Sequence, residues 1–291
     1  MRSEKRLRDE LRFVAEFYTL FDVTQQAAMS QLRRLEERLA DEAPILEALT
    51  REWFPLLPAD AWQHPLVRPR EGGRLLVVLT SDEGLVGSLH SAVIRRAVAR
   101  AEGASAEWVF VGQRGPRLLG VPAKVLRVLP IPSDAQADEE MRRLSQSLLQ
   151  HYQRVALQEA WLVAPRFISA TRQEVVEYPL LPLPIGPAMT ARESDLVIEP
   201  SVDRVVNGLA SWWVEATCVE AFWSARRAEC AARALHVEAS RQELGRRTRT
   251  LRHEFFKTLH ERLDVLVRET CVVQRHAARR LLATRIPSEV M

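Results

Sequence analysis

Between Arg2 and Arg51 apolar residues recur at Leu7, Leu11, Val14, Tyr18, Phe21, Ala28, Leu32, Leu35 and Leu39. The steps alternate four and three, and Gln25 is the one polar member of the series. Such a seam predicts a long helix over residues 1–54 that packs on another helix, with charge on its other faces. At the helical rise it would be roughly 60–70 Å long. A dimerisation arm is the plain alternative. Pro55, Pro58, Pro65, Pro69 and the pair Gly72-Gly73 then break the pattern and mark a boundary.

The pattern changes at Arg74. Leu75 to Leu79 is a short, continuous apolar run, as expected of a strand buried on both faces of a parallel sheet. A polar loop with Gly84 and Gly87 follows, then helical character from Ser91 to Arg100, the first half of a βαβ unit. Further strands are expected at Trp108–Gly112, Val125–Leu129, Ala160–Ser169 and Val175–Leu183. A tight turn is expected at Gly112–Gly115, and an amphipathic helix at Glu139–Gln158 carries Met141, Leu144, Leu148 and Tyr152 on one side. Residues 74–187 thus read as a Rossmann-like α/β domain. From Ser201 the chain is helical nearly to its end. Leu244, Thr248, Leu251, Phe255, Leu259, Leu263, Leu266 and Val273 give a second approximate seam with a stutter. Residues 199–286 are expected to complete an antiparallel coiled coil with the first helix, the α/β domain beside it.

Composition changes this picture little. The chain is 47% hydrophobic and 27% charged, with net charge +3 and a pI near 9.0. Positive and negative residues alternate, which suits solvated helix faces and argues against a nucleic-acid patch. Cys218, Cys230 and Cys271 form no CxxC pair and are expected as reduced thiols. The first residues lack the apolar core of a signal peptide, and no apolar run approaches the roughly 20 residues needed to cross a bilayer. Any membrane association is expected through partners alone.

Catalytic chemistry is sparse. No GxxxxGK[ST] motif and no Gly-Lys pair occurs. Gly84-Leu85-Val86-Gly87 lacks the spacing of a dinucleotide fingerprint. His253-Glu254 begins a near match to HExxH, but Lys257 stands where the second metal ligand belongs. Ser81 and Asp82 have no histidine at a recommending spacing, and Asp82 suits a cap or turn. Trp212, Trp213, Phe222 and Trp223 cluster on one helix and read as core or subunit contact. No cofactor and no metal is expected.

Four blocks resemble the gamma subunit of F-type ATP synthases. Thr80-Ser81-Asp82-Glu83-Gly84-Leu85-Val86-Gly87-Ser88-Leu89-His90 is similar to the family's TSDRGLCGGLN. VGQRGPRLL resembles the turn IGxKGxxFF. In FISATRQEVVEYPLLPLP, Phe167, Ser169, Gln173, Glu174, Leu180, Leu181 and Pro182 match a strand pair of that family. In the block from Ile198, Glu199, Pro200, Val214, Glu215, Ala221, Glu229, Ala231, Ala232 and Arg233 match.

The resemblance implies a non-catalytic central stalk, or rotor, coupling ion flow to ATP synthesis or hydrolysis. Its implied partners are the alpha and beta subunits, the epsilon subunit and the ring of c subunits, on the cytoplasmic side of a bacterial inner membrane. A nonrotary assembly protein and a small-molecule-binding α/β enzyme, with its site at Asp82–Ser88, are the competing readings.

Several positions depart from the family pattern. Glu83 replaces Arg, Val86 replaces Cys, Ser88 replaces Gly and His90 replaces Asn. The first-helix motif is largely lost over Leu20–Gln31. The Arg-Gln pair of the family's last helix, which contacts beta, becomes Leu259-His260 when aligned without gaps. The chain also runs on from about Gln274 past the family's usual end. The grip on the catalytic ring is therefore expected at Arg252, Lys257 and Arg262 around that position, at Gln25 and Gln26 on the first helix, with Glu199 as a further candidate subunit contact.

Overall fold

The computed structural model describes residues 4–39, 45–185 and 198–283. They fall into two compact units, the described residues between 25 and 236, and those between 4 and 24 together with 237–283.

The larger unit is built on a five-stranded sheet. Its strands are β1 (Gly73–Leu79), β2 (Ala106–Val111), β3 (Lys124–Leu129), β4 (Leu157–Ser169) and β5 (Arg172–Leu181), in the order β3-β2-β1-β4-β5. β1 runs parallel to both neighbours and β2 parallel to β3, whereas β4 and β5 form an antiparallel pair. The unbroken apolar run of β1 follows from its central place. Leu75, Val77 and Leu79 feed one core, and Leu76 and Val78 feed another on the opposite face. The second core is closed by α3 (Leu89–Ala101), through Val93, Ile94 and Ala97.

The first core is larger. It is covered by α5 (Ala137–Arg154), whose Met141, Leu144, Leu148 and Tyr152 are all buried, and by the first part of α6 (Val202–Ala283). Leu32 and Leu35 of α1 (Glu4–Arg38) also enter it. Burying a side chain of that size contributes about 1.5–3 kcal/mol.

The smaller unit is a helix pair. Leu7 and Val14 of α1 are buried with Leu251 of α6, flanked by Leu11, Leu244 and Phe255. Glu4 pairs with Arg262, and Asp22 with Arg241, each at 2.7 Å. The two pairs advance along α1 while receding along α6, so the helices are antiparallel, as the two seams require.

Several sequence expectations shift. The first helix ends at Arg38, not near residue 54. Beyond it lie α2 (Ile45–Ala48), a π-helical turn at Leu49–Trp53 and a 3-10 turn at Phe54–Leu56. Pro55, which has no N–H to donate, stands in that last turn and bars a regular helix. Leu32 and Leu35 do not face the Leu244–Val273 seam; they lie in the sheet's larger core. Leu263, Leu266 and Val273, which follow Arg262 on α6, are about half or more exposed. α5 stops at Arg154 because β4 begins at Leu157, and the Gly112–Gly115 turn passes directly into the short helix α4 (Arg114–Leu118). The ends of the expected domains at residues 186–187 and 284–286 lie outside the described residues.

Candidate functional site

The TSDEGLVGSLH stretch sits at the carboxyl end of β1, where three parallel strands finish together. The Asp82 carboxylate accepts the backbone N–H of Gln113 at 2.7 Å and that of Ile131 at 3.0 Å. It thereby ties the turns after β2 and β3 to its own. The Thr80 hydroxyl donates towards the carbonyls of Val111 and Gly112 and accepts from the Gly115 N–H. Gly112 adopts a positive φ of 101°, and a Cβ there would lie 2.6 Å from the Thr80 carbonyl carbon, so only glycine fits. Ser81 donates its hydroxyl to the Glu83 carbonyl. Leu85 carries a φ of 64°, unusual for a residue with a branched side chain, between Gly84 and Gly87.

Ser81 and Asp82 are thus engaged with backbone groups, and among the described residues neither is hydrogen-bonded to a histidine. The reading of a catalytic loop over Asp82–Ser88 therefore loses its residues. The motif is a junction.

The other half of the junction comes from α6. Arg226, Glu229 and Arg233 lie three and four residues apart, on one buried face. Arg233 reaches Glu229 at 2.6 Å and Glu83 at 3.0 Å, and its Nε donates to the Gly84 carbonyl. Arg226 reaches Glu229 at 3.2 Å and Asp134, in the connection after β3, at 3.6 Å. A ladder of alternating charge thus fastens α6 to two loops at one end of the sheet. His90 is buried beside it. Burial, with Arg114 and then Arg233 nearby, lowers its pKa to about 4, so the ring is neutral at pH 7.

In the sequence Glu229 and Arg233 stand only as family matches, and the ladder they form with Arg226 shows in the structure. The signal was three charges at helical spacing within an otherwise apolar face. Glu83, where the family has Arg, supplies Arg233 with a second carboxylate.

The expected contact residues of the last helix share one stretch of α6. Arg252, Lys257 and His260 are exposed, and Leu259 is half-buried. His260 Nδ1 lies 2.7 Å from the Phe256 carbonyl oxygen, a contact within its own helix. Arg262 is not unpaired; it holds Glu4 at 2.7 Å, with its own side chain still 68% exposed. In the larger unit Gln25 is half-buried, Gln26 is exposed, and Glu199 is exposed in a bend before α6. Of the aromatic cluster, Trp213, Phe222 and Trp223 are core, whereas Trp212 is exposed with its edge against Trp53.

Cys218 and Cys230 are buried free thiols, which burial pushes up to about 12 and about 11, and Cys271 is an exposed free thiol. Among the described residues no group of three or more His, Cys, Asp or Glu side chains is placed to hold a metal ion. Lys257 is exposed at the position where a second histidine would be needed. No described helix is long and apolar enough to cross a membrane.

Comparison with known proteins agrees with the fold. The family model described as ATP synthase matches residues 3–258. The ATP synthase gamma chain of Ralstonia nicotianae is 27% identical over 254 residues, covering 82% of this chain and 87% of its own length. That of a Psychrobacter species is 24% identical over 260 residues, covering 84% and 89%. Among solved structures, a chain of the Euglena gracilis mitochondrial ATP synthase, in an OSCP/F1/c-ring assembly, superposes with a TM-score of 0.72 at 15% identity. The match covers 99% of this chain and 98% of that one. A chain of the rotor of the same synthase gives a TM-score of 0.66 at 15% identity, covering 89% and 98%. By the family model and these relatives, the chain belongs to the ATP synthase family, as one of its gamma chains.

Proposed function

We propose that this chain is the rotating central stalk of an F-type ATP synthase. The observation that carries the reading is the antiparallel pair of α1 and α6, from which α6 continues as a single helix. Beyond Arg262 it bears Leu263, Val265, Leu266, Val267, Val272 and Val273, all about half exposed or more. An apolar helix stretch left open among the described residues needs a covering surface. A sleeve formed by alpha and beta subunits would provide one in which a shaft can turn. The larger unit, with Glu199 on its surface, would meet the epsilon subunit and the c ring on the cytoplasmic side of a bacterial inner membrane.

As the shaft turns, it favours a different conformation at each catalytic site by making different contacts with each. Arg252, Lys257 and Arg262, with Gln25 and Gln26, are the proposed polar grips. Arginine suits this task, because its planar fork can hold a carboxylate through two hydrogen bonds.

Purification through a tag on this chain tests the reading. Alpha, beta, epsilon and c subunits should be recovered together, and the isolated chain should not turn over ATP. A chain recovered without them, or one that hydrolyses ATP alone, would overturn it.

A further inference from the structure

β3 closes one side of the sheet, and among the described residues its outer edge has no strand beside it. All of its residues but the last are exposed. Val125, Leu126 and Val128 are each about 40% exposed, and Leu118 and Val121 continue the patch at 43% and 48%. An apolar edge strand with unpaired N–H and C=O groups is a template for another strand. Pro122 and Pro130 bracket it, so an added strand would be confined to the residues between them.

Beside this edge a cleft of about 420 Å³ runs between β3 and α5. Leu75, Val109, Leu144 and Leu148 line it, and Arg127 and Arg154 stand at its wall. Glu107, on the adjacent strand β2, is already held by Lys124 and by His151, the latter at 2.6 Å. Both arginine side chains are exposed, and neither has an ion-pair partner among the described residues. The lining is thus part apolar and part polar, with Ser147, Gln150 and His151 beside the two arginines. A second copy of this chain is a poor occupant, because a two-fold pairing would set the same two arginines against each other.

We propose that the β3 edge and its cleft take an extended, acidic segment of another subunit as a sixth strand, with a carboxylate held by Arg127 and Arg154. The inference rests on the reading of this chain as a subunit of an assembled complex. Backbone pairing along β3 supplies the affinity, and the arginine pair selects for acid.

Amide hydrogen exchange tests it, comparing the full chain alone with the same chain in its tag-purified complex. Amides of residues 124–129 should exchange at least about ten-fold more slowly in the complex. Arg127→Glu combined with Arg154→Glu, at two exposed positions, should abolish that slowing. Unchanged exchange in a complete complex overturns the proposal and leaves the rotor reading standing. Slowing that survives the double substitution removes the acidic occupant. Protection already present in the chain alone, and lost on dilution, assigns the edge to a second copy and overturns the proposal. Failure to recover any complex removes both readings.

Discussion

Arg233 and Glu229 form an ion pair one turn apart on α6, Nη2 to Oε1 at 2.6 Å, with both side chains almost wholly enclosed. Arg233 also binds Glu83 and the Gly84 carbonyl, so the pair anchors the long helix to the loop after β1. Removing Glu229 leaves Arg233 with the exposed Glu83 carboxylate and Arg226 with Asp134, so the cost is bounded by the roughly 3–5 kcal/mol of an unpaired buried charge. Glu229→Ala should therefore lower the unfolding free energy of the full chain by up to that amount. Glu229→Leu with Arg233→Met should recover much of it, since apolar replacement of a buried pair is often neutral. Denaturant titration measures both. A loss no larger than the ~0.5 kcal/mol of a surface substitution would show that the ladder holds nothing.

His90 gives the fold a pH dependence. Burial, then Arg114, then Arg233, lowers its pKa from the ordinary 6.5 to about 4. Between these values the unfolded chain binds a proton that the folded chain does not. Stability contributed by the neutral ring is complete above about pH 6.5, falls as pH falls through the window, and is gone below about pH 4. At about 1.4 kcal/mol per unit the loss is up to about 3 kcal/mol. His90→Asn, which restores the family's residue, should remove this part of the slope. An unchanged pH profile in that variant would place the titration elsewhere.

The two halves of the α1 seam should respond differently. Leu32 is buried in the larger core, so Leu32→Ala should cost about 2–5 kcal/mol of that unit's stability. Leu251 sits among the few buried residues of the helix pair. Leu251→Asp should speed amide exchange across residues 4–24 while residues 73–181 keep their protection. Equal effects of the two substitutions on both units would contradict this division.

The grip on the catalytic ring can be separated from folding. In the Arg262–Glu4 pair the arginine is 68% exposed and the glutamate 20%, and pairs near the surface contribute about 0–1 kcal/mol. Arg262→Ala and Arg252→Ala should leave the melting temperature nearly unchanged and lower ATP-driven ion transport by the assembled complex several-fold. His260→Ala should lower it less. Normal coupling in both arginine variants, with uncoupling in His260→Ala, would return the contact to the family's position.

Much of this architecture was legible in the sequence, because periodicity reports burial. The run Leu75–Leu79 announced a central strand, and Met141, Leu144, Leu148 and Tyr152 announced the covered face of α5. The seams announced two helices that pair. They could not say where each face changes its partner. Leu32 and Leu7 have the same spacing and chemistry, yet one meets a sheet and the other a helix. The motif was legible as a unit, but its purpose was not. Asp82 satisfies backbone amides 31 and 49 residues away, distances that no local pattern encodes. The Arg226–Glu229–Arg233 spacing was visible, but alternating charges on a helix usually mark a solvated face, and only the packing shows that this one is buried.

Rotation observed directly tests the central claim. The complex can be fixed to a surface through its beta subunits, with Cys271→Ser removing the native exposed thiol and Arg95→Cys placing one on exposed α3. A bead on that thiol should turn in one direction when ATP is added and stop when ATP is removed. A complex that hydrolyses ATP at its normal rate while the bead stays still would contradict the account.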